Sequence, residues 1–302
     1  MNAPALDDST SGEYIGPPAP RLVATDLDGT LLRPDATVSP RTRATLARAV
    51  ARGIHHVIVT GRPAAGCASF FEALGYTGLA VCGQGAQIYD VGRSLLLSSV
   101  PLDRAAARTV VSRLETVTGP VDIAAVTSGT GAEFVVTTGF ARGDERELAP
   151  FRPVTRRQLW ELPLDKILLR HRALTDTELT EAALRCVGPG LTVTHAGPRM
   201  VELLPTGFDK ATGLARVAES LGVGAQDVIA FGDMPNDIPM LRWAGHAVAM
   251  TNAHPSLKAV TQEIAPDNHN DGVAAVLERI LHQCAEPVSG RLERISDQGA
   301  FL

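Results

Sequence analysis

The chain has 302 residues, with 28 Lys+Arg against 33 Asp+Glu for a net charge of −5, and 45% hydrophobic against 20% charged residues. That is the balance of an ordinary globular protein, and it excludes collagen-like, coiled-coil and disordered chains. An acidic net charge offers no broad basic field for nucleic acid, and no apolar run nears the ~20 residues of a membrane-spanning helix, so neither is expected as a partner.

Residues 1–20 carry four prolines and place Asp7, Asp8 and Glu13 where a leader would be basic, which predicts a mobile tail and a cytoplasmic protein. Arg21–Thr25 is a β-rich run stopping at Asp26. Ser39-Pro40 offers a cap and a proline for the first turn of a helix with Leu46, Ala47, Val50 and Ala51 inward, ended by Gly53. His55–Val59 is a second strand stopping at Thr60. Pro63 opens a helix ending near Gly75, and Leu79–Cys82 is a third strand.

The stretch from 88 to 204 reads differently. Strands are predicted at Arg93–Ser98, Asp122–Val126, Glu133–Thr138, Lys166–Arg170 and Leu191–Thr194, and helices at Asp103–Val117 and Asp176–Val187. Gly-rich turns such as Ser128–Gly131 favour hairpins and an antiparallel sheet. Leu95, Leu96 and Leu97 are assigned to this module's core, and Lys166 and Arg170 to solvated surface ahead of a position facing the cleft. The first rhythm then resumes: a helix from Lys210 capped by Asp209, a strand at Asp227–Phe231, short strands at His246–Met250 and near Ile264, and a helix from Gly272 to His282. The pattern is α/β, a Rossmann-like parallel-sheet core at 21–87 and 205–285 with an inserted α+β cap at 88–204, and a second mobile tail at 286–302. Cys67, Cys82, Cys186 and Cys284 form no close pair and are expected as buried thiols.

Polar clusters fall at corresponding places in the core. Asp26-Leu-Asp28-Gly-Thr30 follows the first strand, Thr60-Gly61-Arg62 the second, Lys210 begins a helix, and Gly232-Asp233-Met-Pro-Asn236-Asp237 follows the late strand. Ligands of an open parallel sheet bind beyond the carboxyl ends of its strands, so these groups are predicted to converge there. Clustered carboxylates facing an anionic substrate call for a hard cation such as Mg²⁺, and phosphoryl transfer needs chiefly such positioning and charge neutralisation.

In these motifs the chain resembles the haloacid dehalogenase-like superfamily, in its Cof-type branch with a type IIB cap. The matching segments are DLDGTLL from Asp26, VIVTGR ending at Arg62, GFDKATGL around Lys210 and FGDMPNDIPML from Phe231. The resemblance implies a phosphatase of a small phosphorylated metabolite, a sugar or cyclitol phosphate. Asp26 would be the nucleophile and Asp28 the acid and base. Asp26, the main chain of Asp28, and Asp233 would hold Mg²⁺; Thr60, Gly61, Lys210 and Asn236 would bind phosphate; Asp237 would support from behind. Arg62 and Gln84 are possible substrate contacts, Gln84 standing where the family often has Asn. A mutase or phosphotransferase of the same fold is the alternative, ahead of a metal-dependent D-x-D glycosyltransferase and a non-catalytic phosphosugar binder.

Overall fold

A computed structural model describes residues 19–283 apart from 130, 141–150 and 198–199. The tail readings at 1–18 and 286–302, and Cys284, lie outside the described residues. Among the described residues no helix is long and apolar enough to cross a membrane.

The larger sheet has eight strands in the order β14-β13-β12-β1-β2-β3-β4-β5. Its parallel part comprises β1 (Leu22–Thr25), β2 (His55–Val59), β3 (Leu79–Cys82), β12 (Val228–Gly232), β13 (His246–Met250) and β14 (Glu263–Ala265). The inner strands β1, β3, β12 and β13 are short, apolar and largely buried, as parallel strands covered on both faces must be, while β14 at the edge exposes Ile264. Two antiparallel strands, β4 (Gln87–Asp90) and β5 (Leu95–Ser99), extend its edge. The leucine run expected in the cap core therefore belongs to this edge. Leu95 and Leu97 face solvent, and Leu96 packs on the core of the larger sheet. A short turn after β4 lets β5 fold straight back, so the chain leaves this sheet after Ser99 rather than at residue 88.

Helix α1 (Pro40–Ala51) is capped by Ser39, whose side chain accepts from Thr42 N. Its inward face is Thr42, Thr45, Leu46 and Ala49, and Val50 is 54% exposed, so the expected stripe of Leu46, Ala47, Val50 and Ala51 is corrected. The cause is polar: Thr42 and Thr45 donate to Asp271 and to Glu278 of α9 (Gly272–Gln283), which turns a threonine face inward. Helix α2 is Ala68–Leu74, and α6 (Lys210–Ser220) packs with α7 (Ile238–Trp243); α8 is the single turn Pro255–Lys258.

The inserted module has a six-stranded sheet, order β10-β11-β9-β6-β7-β8, built from β6 (Asp122–Thr127), β7 (Phe134–Val136), β8 (Phe151–Pro153), β9 (Leu164–Arg170), β10 (Leu191–Gly197) and β11 (Met200–Pro205). It is antiparallel except for β7 with β8. Helices α3 (Arg104–Thr118) and α5 (Asp176–Cys186) pack on one another over a separate apolar core, and α4 is Arg156–Glu161.

Candidate active site

Strand β1 lies between β2 and β12, where the strand order diverges, and its carboxyl end delivers Asp26. The Asp26 amide donates to Phe231 O at 3.0 Å, which ties the residue to the end of β12. Lys210 arrives from the other half of the chain. Asp209 caps its helix, accepting from Thr212 N at 2.8 Å, a contact worth about 1 kcal/mol. The cap leaves a cation on the first turn, at the unfavourable end of the helix dipole. Two carboxylates offset this: Lys210 Nζ donates to Asp26 Oδ1 and to Asp237 Oδ1, both at 2.6 Å, with Lys210 only 2% exposed. Burial works to discharge Lys210, yet Asp237 and Asp26 outweigh it and hold its pKa above the ordinary lysine value.

Asp237 is wholly buried, and its Oδ2 accepts the amides of Asp233 and Met234 at 3.0 Å each. It thus shapes the loop that presents Asp233, whose Oδ1 accepts from Thr30 Oγ1 at 3.1 Å. Gly29, at φ +77°, lets the first loop pass: a Cβ there would lie 2.2 Å from Asp233 Oδ2. Burial, with help from the neighbouring carboxylates, raises Asp26 well above the ordinary range and Asp233 to about 7. Oxygens of Asp26, Asp233 and Asp237 lie within 4.8 Å of one another. Both Asp237 oxygens are taken by protein donors, whereas Asp26 and Asp233 each spend one on Lys210 and Thr30. Hard oxygens that resist ionising side by side fit a divalent cation, which reverses that cost.

The Asp28 carboxylate points elsewhere, gripped at both oxygens by Arg62 Nε and Nη2 at 2.7 Å. Of Asp28, the main-chain carbonyl is what remains for a cation. Thr60 is buried and its Oγ1 accepts from Arg62 N at 3.1 Å, which leaves the hydroxyl proton for a ligand. Arg62 also stacks on Phe70, 4.7 Å from the ring centre. Gln84 sits at φ +57°, buried, on the loop after β3. Its Oε1 accepts from Asn236 Nδ2 at 3.2 Å and its Nε2 donates to Glu202 Oε2 at 3.0 Å. Gln84 is thus occupied by protein on both sides.

Three residues here were not expected. Lys166, read as solvated surface, is buried; it donates to Gly61 O at 2.9 Å and pairs with Glu202, which is itself 2% exposed. The available signal was the lone Glu in the otherwise apolar run MVELLP of strand β11, since a buried carboxylate needs a cation. The third, Asn252, donates to Gly29 O at 2.8 Å and anchors the first loop. Arg170, also read as surface, lies over the Phe140 ring at 4.6 Å. In the arginine-rich segment from Arg142 to Arg157, residues 142–150 lie outside the described residues, while Arg152 and Arg156 pair with Glu133 and Glu115. Cys67, Cys82 and Cys186 are buried free thiols.

The sequence profile of the haloacid dehalogenase-like hydrolases matches residues 23–277. The pyridoxal phosphate phosphatase YbhA of Escherichia coli is 32% identical over 265 residues, 84% of this chain and 96% of that protein. The 5-amino-6-(5-phospho-D-ribitylamino)uracil phosphatase YitU of Bacillus subtilis is 30% identical over 274 residues, 86% of this chain and 97% of its own. Among solved structures, a haloacid dehalogenase-like hydrolase from Bacteroides thetaiotaomicron superposes with a TM-score of 0.70 at 29% identity, over 86% of this chain and 98% of the other.

Proposed function

This chain belongs to the haloacid dehalogenase-like hydrolases and is a phosphatase of small phosphorylated metabolites; we propose that it works with Mg²⁺ through transient phosphorylation of Asp26. The observation that carries the reading is the buried Lys210 bonded to both Asp26 and Asp237, with Asp233 alongside. Lys210 fixes one Asp26 oxygen and leaves the other without a lysine partner, the candidate nucleophile. Asp26 and Asp233, with the Asp28 carbonyl, would hold Mg²⁺. The bound cation would supply positive charge against the phosphoryl oxygens and let both carboxylates ionise together.

In the first half-reaction a bond forms from an Asp26 carboxylate oxygen to phosphorus, and the bond from phosphorus to the leaving alkoxide breaks. Asp28 gives that alkoxide its proton, then takes one from the water that releases phosphate. Arg62 covers both Asp28 oxygens, so it has to swing away before Asp28 can act; an entering phosphate is the natural competitor for the guanidinium. Lys210 offsets the charge of the transferring group, Thr60 donates a hydroxyl hydrogen bond to it, and Gly61 and Asn236 border it. The substrate class we favour is a phosphomonoester of a small polar alcohol, of which sugar and cyclitol phosphates are instances. The two relatives named for ribitylaminouracil phosphate and pyridoxal phosphate extend it to alcohols carrying a heteroaromatic ring.

The test is phosphate release from a metabolite panel with and without Mg²⁺, in the parent and in Asp26→Asn. Activity that survives the substitution overturns the covalent route; isomer formed without free phosphate turns the reading to a mutase.

A further inference from the structure

Two charged residues of the cap reach into the core without touching the carboxylate cluster. Lys166 on β9 donates to the carbonyl of Gly61, between Thr60 and Arg62. Its partner Glu202, on the adjacent strand β11, accepts from Gln84 on the loop after β3, and Gln84 in turn accepts from Asn236 on the loop after β12. The chain of contacts therefore runs from two cap strands to three core loops. We propose that Lys166 and Glu202 are positioning residues: seating the cap orients the phosphate-binding loops, through the Gly61 carbonyl on one arm and through Gln84 and Asn236 on the other. The proposal rests on the functional reading above.

The direction of the relay is dictated by chemistry. A carboxylate only accepts hydrogen bonds, so Glu202 compels Gln84 to present its NH₂ group, which leaves the Gln84 carbonyl facing Asn236. Asn236 must then turn its own NH₂ group towards Gln84. Flipping either amide alone would set oxygen against oxygen or NH₂ against NH₂. One charged group in the cap thereby sets two amides in the core, and the second belongs to the loop that carries Asp233 and Asp237. Gln84 and Glu202 are both buried, so an unmatched Gln84 amide has no water to turn to. Gln84 is held in the left-handed region, its amide donating to Thr60 O at 3.2 Å, so its side chain has little freedom to escape the relay. Gly61 is constrained with it: a Cβ on Gly61 would lie 2.7 Å from Gln84 Nε2. With the cap away, Gln84 and Asn236 lose the group that orients them, and Gly61 loses its cation.

The test uses the full chain with Mg²⁺ and reads inhibition by inorganic phosphate, which reports on the phosphate site without a leaving group for the cap to touch. Gln84→Met breaks the relay and leaves the Lys166–Glu202 pair intact; it should weaken phosphate inhibition about tenfold, the equivalent of one hydrogen bond near a charge. Glu202→Gln should do the same, and the exchange Glu202→Gln with Gln84→Glu should restore inhibition to within about threefold, since an acceptor again faces Asn236. Urea midpoints taken alongside separate loss of folding from loss of orientation. Unchanged inhibition in Gln84→Met, or a paired exchange no better than Glu202→Gln alone, overturns the proposal. A parent enzyme that releases phosphate from no ester overturns the functional reading instead, so the two failures are distinguishable.

Discussion

The carboxyl edge of the core sheet and the contacts that seat the cap upon it are built on opposite plans. At the edge, each polar group stands within a few residues of a strand end, and chain direction alone carries Asp26, Thr60 and Asp233 to one crevice. At the cap contacts, Lys166 and Glu202 stand mid-sheet among apolar neighbours and meet Gly61 and Gln84 across 105 and 118 residues of sequence. The difference teaches that the chemistry of this molecule is held by topology and its closure by buried polar pairing. The first tolerates a shifted strand register poorly; the second depends on two separately folded cores fitting together.

The sharpest way to break that contrast is to remove chemistry without removing structure. Asp26→Asn should lower turnover by about a thousandfold or more, while the urea midpoint stays near that of the parent because Lys210 keeps Asp237 and an amide oxygen. A large fall in stability would show that the edge is a folding element first. Asp237→Asn should reverse the pattern. It sets an amide NH₂ against Lys210 or against the amides of Asp233 and Met234 in a fully buried site, and the loss of stability should be about 3 kcal/mol by denaturant titration. At the junction, Gln87 accepts from Ala64 N at 2.9 Å and donates to Asp165 Oδ2 on β9 at 2.7 Å. Gln87→Leu should cost about 2 kcal/mol through the two groups it strands, with turnover affected less than in either core variant.

Much of the edge was legible in the sequence because its signals are local. A short apolar strand ending in Asp, and a helix whose cap is Asp209, specify position with no knowledge of distant contacts. Polar residues that satisfy one another across the fold carry no such mark. The threonine face of α1 was misread because Thr42 and Thr45 look solvated until Asp271 and Glu278 are placed beside them. Lys166 was misread for the same reason, its partner lying on another strand. The edge pair β4 and β5 escaped because a hairpin reads alike whether it extends the core sheet or starts a new one; only pairing with β3 decides.

The smallest expected effects set the two regions against each other in their response to acid. His56 in β2 bonds Thr25 Oγ1 at 3.0 Å and meets the Tyr76 ring edge-on at 5.3 Å, and burial lowers its pKa to about 4. The unfolded chain protonates this histidine below its ordinary value near 6.5 while the folded chain does not, so stability falls as pH drops through that window. Between about pH 5.5 and 7 the contribution is about 1 kcal/mol, and His56→Gln should remove it. Asp165 at the cap junction has the opposite sign. Burial raises its pKa against the hydrogen bond from Gln87, so the folded chain keeps a proton that the unfolded chain releases. Its contribution is lost as pH rises above the ordinary carboxylate value, and Asp165→Asn should make the stability profile climb more steeply with pH. Urea titrations from about pH 4 to 7, spanning the ordinary carboxylate and histidine values, should therefore move the slope in opposite directions in the two variants. A common direction would mean that the junction is solvated and that the cap is not seated by buried polar pairing.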